Sequence, residues 1–283
     1  MDTPIELAAI SLVGFGIVML GLQYVALWDG TWPCKPHTRR VASNDKDPAE
    51  GVGVVVGALL GLLAFTLGVT ISIANDRFED RRRAAIAEAN AIGTAWLRAE
   101  AVGHPRSEHI ARLLEDYTRT RIAWLSAPND TRLVREAIAA TTRTQKEIWD
   151  HAVAIARERP DPMVAILVSS LTETFDLAAT QRWAFRGQIP LELPWLLFAL
   201  TLVSVASIGY QWGLKRRWHP VLAMLLLSAW SACLVLIADL SNPRVGGVRV
   251  DVAPYRWTLD GFRGGAPLVP GVMVPGIVVA PGR

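Results

Sequence analysis

The strongest constraint in this chain is a run of 25 residues, 51–75, that carries no charge. At ~1.5 Å per helical residue it covers ~37 Å, and the hydrocarbon core of a bilayer is ~30 Å thick. No proline or turn cluster stops it. The chain passes straight into Asp76-Arg77-Phe78-Glu79-Asp80-Arg81-Arg82-Arg83 and then an alanine-rich stretch to Leu97. The pattern predicts one helix that crosses the membrane and continues as the first helix of a soluble domain.

At ~100° per residue, Gly53, Gly57, Gly61, Ala64, Gly68, Ser72 and Asn75 share one stripe of that helix. Small residues let a second helix approach closely. The stripe marks either ordinary helix packing or the central axis of an oligomer, with Ser72 and Asn75 at a pore mouth. Both hold if the packing partner is another copy of the chain. Glu79 and Arg82 follow on the same azimuth, either as an i,i+3 ion pair or as a charged vestibule. Asn90 and Gly93 lie further along it. A glycine inside a helix costs ~1 kcal/mol relative to alanine, so a tight helix crossing is expected at Gly93.

The rest of the chain divides around this helix. Residues 1–28 form a first membrane helix, uncharged from 7 to 28. The start has no basic residue and the apolar run is long for a signal peptide, so the helix is expected to be retained. A short basic loop (29–50) leads to the second membrane helix (51–75). A soluble helical bundle (76–190) follows, then a third membrane helix (191–214), a basic hairpin (215–217) and a fourth membrane helix (218–239). A Pro/Gly-rich tail (240–283) closes the chain. The expected fold is an all-α integral membrane protein with four transmembrane helices. The bundle is inserted between the second and third, and the second membrane helix is continuous with it.

Four amphipathic helices are expected in the bundle. The first buries Phe78, Ala85, Ile86, Ala89, Ile92 and Trp96, and Gly103-His104-Pro105 breaks it. The second buries Ile110, Leu113, Leu114, Tyr117 and Trp124. The third, from about Thr131 to Glu158, buries Leu133, Val134, Ile138, Ile148, Trp149 and Val153. Asp161-Pro162 caps the fourth, which buries Met163, Ile166, Leu167, Leu171, Phe175 and Trp183. Short connections argue for antiparallel packing. In the tail, 248–252 alternates as a short strand would, and the remainder reads as recurrent turns.

Charge and chemistry exclude several functions. The net charge is +3, and the bundle carries 17 basic against 16 acidic residues, so nothing steers nucleic acid to it. The apolar runs of the four spans, 7–28, 51–75, 193–213 and 218–238, hold no Asp, Glu, Lys or Arg, which argues against a proton-coupled transporter. There is no phosphate-cradling glycine loop and no nucleophile paired with a base, so no enzymatic activity and no cofactor are expected. The five histidines include no His-x3-His pair and no cysteine set. No metal ligands are expected, and His104 and His109 read as surface residues. Two cysteines give no disulfide framework.

The two short loops share one side of the membrane and carry seven basic residues: Lys35, Arg39, Arg40, Lys46, Lys215, Arg216 and Arg217. The positive-inside rule makes them cytoplasmic and places the bundle and tail outside.

Two short motifs carry a resemblance. One is Glu88-Ala89-Asn90-Ala91-Ile92-Gly93, after the second span. The other is Pro243-x-x-Gly246-x-x-Arg249-Val250, after the fourth. Together they resemble the bacterial membrane proteins of unknown function called bestrophin-like, over most of residues 1–252. Where such proteins often carry Asp-Arg before the proline, this chain has Ser241-Asn242, with Asp239 upstream. The resemblance implies remote similarity to bestrophins, which are pentameric anion channels whose second span lines the pore and whose large domain is cytoplasmic. That orientation is opposite to the one the loop charges give. The expected function is a homo-oligomeric, ion-channel-like assembly in a bacterial inner membrane, with the lipid bilayer, other copies of the chain and an inorganic ion as partners. The alternative is an envelope sensor or scaffold whose bundle binds a partner.

Overall fold

The computed structural model describes residues 21, 48–128, 131–186, 192–215, 220–244, 247–262 and 264. Among these residues every regular element is a helix. They are α1 Pro48–Val102, α2 Pro105–Ser126, α3 Thr131–Glu158, α4 Pro162–Arg186, α5 Glu192–Lys215, α6 Pro220–Ser241 and α7 Ala253–Phe262. Apart from Gly21, the expected first membrane helix lies outside the described residues, as do Cys34, Gly246 and the Pro-Gly repeats of the tail. The chain splits into two compact units, 1–79 with 187–249 and 80–186 with 250–283.

In the first unit, α1 buries Val56, Leu63, Leu67, Thr70 and Ala74. Their spacing of three, four and seven keeps them on one helix face. Val56 packs with Val205 and Ile208 of α5 and Ala223 and Leu227 of α6; Leu63 and Leu67 meet Leu197, Leu234 and Ile237. Ala74 and Leu240 form a last layer, with Ile73, Phe78, Leu193 and Val248 against it. Several hydroxyls in this apolar setting donate to the preceding helical turn. Thr70 donates to the Thr66 carbonyl at 2.7 Å, Thr201 to that of Leu197 at 2.7 Å and Ser228 to that of Met224 at 2.6 Å. Large apolar side chains such as Val54, Phe65, Val221 and Leu225 point outward, as they do in a helix set among lipid.

The second unit is built from α1 beyond Asp80, with α2, α3, α4 and α7. Its core includes Ile92, Ile110, Leu114, Tyr117, Trp124, Ile148, Ile155, Leu167 and Leu171. Gly103, at φ 62°, ends α1 in the left-handed conformation that glycine adopts without strain. His104 then caps α2. Its Nδ1 accepts the Arg106 N–H at 3.1 Å, and the Ser107 Oγ accepts the His104 N–H at 3.1 Å. Asp161 caps α4 through Oδ1, which accepts the Val164 N–H at 3.0 Å. That bond, helped by Arg159, holds the Asp161 carboxyl below its ordinary range.

Four helices among the described residues are long and apolar enough to cross a membrane: Gly51–Val102, Pro162–Arg186, Leu193–Trp212 and Val221–Ser241. The chain is thus a multi-pass membrane protein. Of the four, Pro162–Arg186 is the least apolar. That helix is α4, whose inner face places Ser170, Thr174 and Gln181 in the core of the second unit.

Several inward positions expected from the sequence are corrected. Leu133 (44 % exposed), Trp149 (39 %), Met163 (41 %), Ile166 (43 %) and Trp183 (75 %) face outward. The inner face of α3 is Thr141, Ile148, Ala152 and Ile155, and Trp149 lies one residue, ~100°, off it. On α4 the inner face is partly polar, which shifts the apolar pattern away from the true buried side. The tail is corrected too. Residues 248–252 form no strand, and 253–262, expected to be irregular, are helix α7, with Tyr255, Thr258 and Phe262 buried. Asp251 Oδ1 accepts the Ala253 N–H at 2.8 Å, and Pro254 occupies the first turn, where its missing N–H costs nothing.

Candidate functional site

Two features stand out, one in each unit. In the first unit, the face of α1 that packs on α5 and α6 is not the small-residue stripe. Gly57, Gly61, Ala64, Gly68, Ser72 and Asn75 are all exposed and lie about 120° round the helix from the buried face. A methyl group added at Gly57, Gly61 or Gly68 would meet no atom within 4 Å among the described residues. Gly53 differs: there the added carbon would lie 3.0 Å from Gln211 Nε2. Beyond the stripe, Glu79 is partly buried and Arg82 exposed.

The turn after α6 also belongs to this unit. Asp239 Oδ1 accepts the Val248 N–H at 3.4 Å, and Asn242 Oδ1 accepts the Arg244 N–H at 3.1 Å. A carbon added at Gly247 would lie 3.7 Å from Asp239 Oδ2. Asp239 thus folds the chain leaving α6 back on itself. Pro243 and Arg249 are partly buried in this segment.

In the second unit, Glu88 is the centre of a buried polar cluster to which five helices each contribute. Arg121 of α2 donates Nε to Glu88 Oε1 at 2.6 Å and Nη2 to Oε2 at 2.9 Å. Tyr117 donates to Oε1 at 3.1 Å and Tyr255 of α7 to Oε2 at 2.7 Å. Gln181 of α4 accepts from Arg121 Nη2 and donates to the Tyr255 hydroxyl at 2.9 Å. Gln145 of α3 donates to the Tyr117 hydroxyl at 3.3 Å. The guanidinium lies 4.5 Å from the Trp124 ring, a cation–π contact that covers its other face.

Glu88 and Arg121 are both fully buried. Burial alone disfavours the charged guanidinium, but the Glu88 carboxylate beside it reverses the balance and holds Arg121 protonated well above its ordinary range. Burial, with Glu88 next to them, pushes the Tyr117 and Tyr255 hydroxyls far above the usual tyrosine value. A carboxylate has about four lone-pair sites, and Glu88 uses all of them. It has no capacity left for an ion. The arrangement acts as a clamp.

Of the other motif residues, Gly93 is buried and Asn90 exposed. Of the cluster, the sequence singles out only Glu88, as a motif residue, and Tyr117 and Trp124, as inward positions of the second bundle helix. The available signal is a charge inside each apolar stripe: Glu88 between Ala85, Ala89 and Ile92, and Arg121 between Tyr117 and Trp124.

The Bestrophin-like domain matches residues 22–255, and the chain belongs to the bestrophin-like family. Solved structures share its fold. One is a point mutant of a bacterial bestrophin homologue from Klebsiella pneumoniae, 14 % identical, covering 90 % of this chain and 99 % of that one with a TM-score of 0.60. The same homologue phased on zinc is 15 % identical, with a TM-score of 0.57 over 90 % of this chain and 99 % of that one. A mutant of a protein described only as a membrane protein is 13 % identical over 90 % of this chain and 100 % of that one, with a TM-score of 0.62. A search of curated proteins gives no significant match.

Proposed function

We propose that the chain is one subunit of a homo-oligomeric, ion-channel-like assembly in a bacterial inner membrane, with α1 beside the symmetry axis. The observation that carries this reading is the open stripe of α1. Its six small or uncharged residues from Gly57 to Asn75 are exposed, while a different flank of the helix, about 120° away, is packed against α5 and α6. Small residues at an open helix face suit close approach of an identical helix or a water-filled axis. Membership of the bestrophin-like family supports the same reading. Glu79 and Arg82 form the vestibule, and inorganic ions are the permeant species. The second unit is the bundle inserted between the second and third spans. The seven basic residues of the short loops place those loops in the cytoplasm and the bundle outside.

Imaging the purified particle tests the assembly, and ion flux from liposomes tests conduction. A symmetric ring with α1 innermost is expected. A monomer, or a ring with the glycine edge against lipid, overturns the proposal. A reporter fused after Arg283 tests the orientation: strong cytoplasmic activity there reverses it.

A second reading is a sensor or scaffold. It draws on the 55-residue course of α1, unbroken from Pro48 to Val102, which can carry a displacement along its length. A bound protein recovered with the chain from membranes favours it; recovery of a lone homo-oligomer counts against it.

A further inference from the structure

We propose that His109, Glu147 and His151 form a binding site for a divalent first-row transition metal, with Zn2+ as the fitting probe. Glu147 and His151 are four residues apart on α3 and so share one face. His109 comes from α2, packed alongside. Their ligating atoms all lie within 4.8 Å of one another. His109 Nε2 is 3.8 Å from Glu147 Oε1, and the two imidazoles meet edge to face with ring centroids 4.6 Å apart. None of the three residues belongs to the α1 stripe or to the Glu88 cluster.

Two imidazoles and one carboxylate leave the fourth position of a tetrahedron for water. Nitrogen donors of this kind suit zinc and its neighbours, whereas Ca2+ and Mg2+ require oxygen cages. With metal–ligand bonds of ~2.1 Å, each side chain needs to move inward by only about 1 Å. His151 Nδ1 supplies a second, independent observation. It is shielded from solvent and has no hydrogen-bond partner among the described residues, which is a cost for a polar nitrogen unless something binds it.

The neighbouring charges permit a cation. Arg106 is paired with Glu158 at 3.2 Å, and Lys146 with Asp150 at 2.6 Å. Arg112 Nη2 lies 3.5 Å from His109 Nδ1. Binding at His109 Nε2 puts the proton on Nδ1 and ends that contact, and Arg112 is exposed and free to swing away. The bound metal staples α2 to α3.

The test is calorimetric titration of ZnCl2 into the chelator-stripped full chain in detergent, with MgCl2 as control. One zinc per chain is expected, with no heat from magnesium. His109→Asn, His151→Asn and Glu147→Gln should each weaken binding. Loss of a partner behind a ligating imidazole already costs ~10- to 100-fold, so loss of a ligand should cost roughly 100-fold. Glu147 is exposed, so its variant reports on binding without disturbing the core. Cobalt substitution adds a spectroscopic reading, with a tetrahedral d–d spectrum expected in the parent and absent in the variants. Zinc binding unchanged in all three variants, or none in the parent at micromolar metal, overturns the proposal.

Discussion

Glu88 and Arg121, 33 positions apart in sequence, meet side-on in the core of the second unit, with both carboxylate oxygens facing two guanidinium nitrogens at 2.6 and 2.9 Å. Neither touches solvent. Removing one partner of such a pair leaves a buried charge uncompensated, which costs about 3–5 kcal/mol. Glu88→Gln and Arg121→Met should each lower the thermal midpoint of the detergent-solubilised protein sharply. Replacing both should cost less than the sum of the two. Additive losses in that double-mutant cycle would show that the pair is not coupled.

The two tyrosines of the cluster give a spectroscopic prediction. Their folded pKa values are raised, so the stability they contribute is fully present below the unfolded value of ~10 and is lost as pH rises through the folded one. In ultraviolet titration Tyr117 and Tyr255 should stay protonated through the normal tyrosine range and ionise only on unfolding. Tyr117→Phe and Tyr255→Phe should each remove one masked hydroxyl from the titration curve.

Tyr255 also measures what α7 contributes. Hydrogen bonds to charged groups are worth about 1.5–3 kcal/mol, so Tyr255→Phe should destabilise by that amount. Truncation after Val252 should cost more, since it also removes Phe262, stacked on Trp96 at 4.8 Å, and the Thr258 bond to the Ala89 carbonyl at 3.2 Å. Chemical denaturation of the two variants checks this order.

The open stripe of α1 separates folding from assembly. Gly61 and Gly68 are exposed and an added carbon there meets nothing within 4 Å among the described residues, so Gly61→Leu and Gly68→Leu should each leave helicity and thermal stability of the chain nearly unchanged. Each should shift the particle to a smaller species in size-exclusion chromatography and abolish flux in liposomes. A subunit that unfolds, or an assembly that is unaffected, counts against the stripe as the interface.

Asp161 predicts a shallow acid dependence. Its folded pKa is lowered, so its contribution is present above the unfolded value of ~4 and is lost as pH falls through the folded value. Asp161→Asn retains a capping oxygen but no titrating charge. It should flatten the acid limb of the stability profile, as followed by circular dichroism.

The long apolar runs and the helix-breaking cluster at Gly103 are legible because each is local. Length, charge and φ preference act within a few residues. The open stripe is legible on α1 for the same reason, since a helix converts spacing into azimuth. The outward turn of Trp149 and Trp183 is not, because the size of a side chain does not say which neighbour will face it. Helix α7 is hidden by composition: the glycines and prolines around it outweigh the spacing of Tyr255, Thr258 and Phe262. The Glu88 clamp depends on partners from α2, α3, α4 and α7, and no window along the chain holds them together.

That clamp sets an order on biosynthesis. Glu88 leaves the ribosome 167 positions before Tyr255, whose hydroxyl fills its last acceptor site. Until the final stretch is translated, a carboxylate waits in an otherwise greasy interior with one lone pair empty. The bundle therefore reaches its full stability only once the C-terminal helix has arrived.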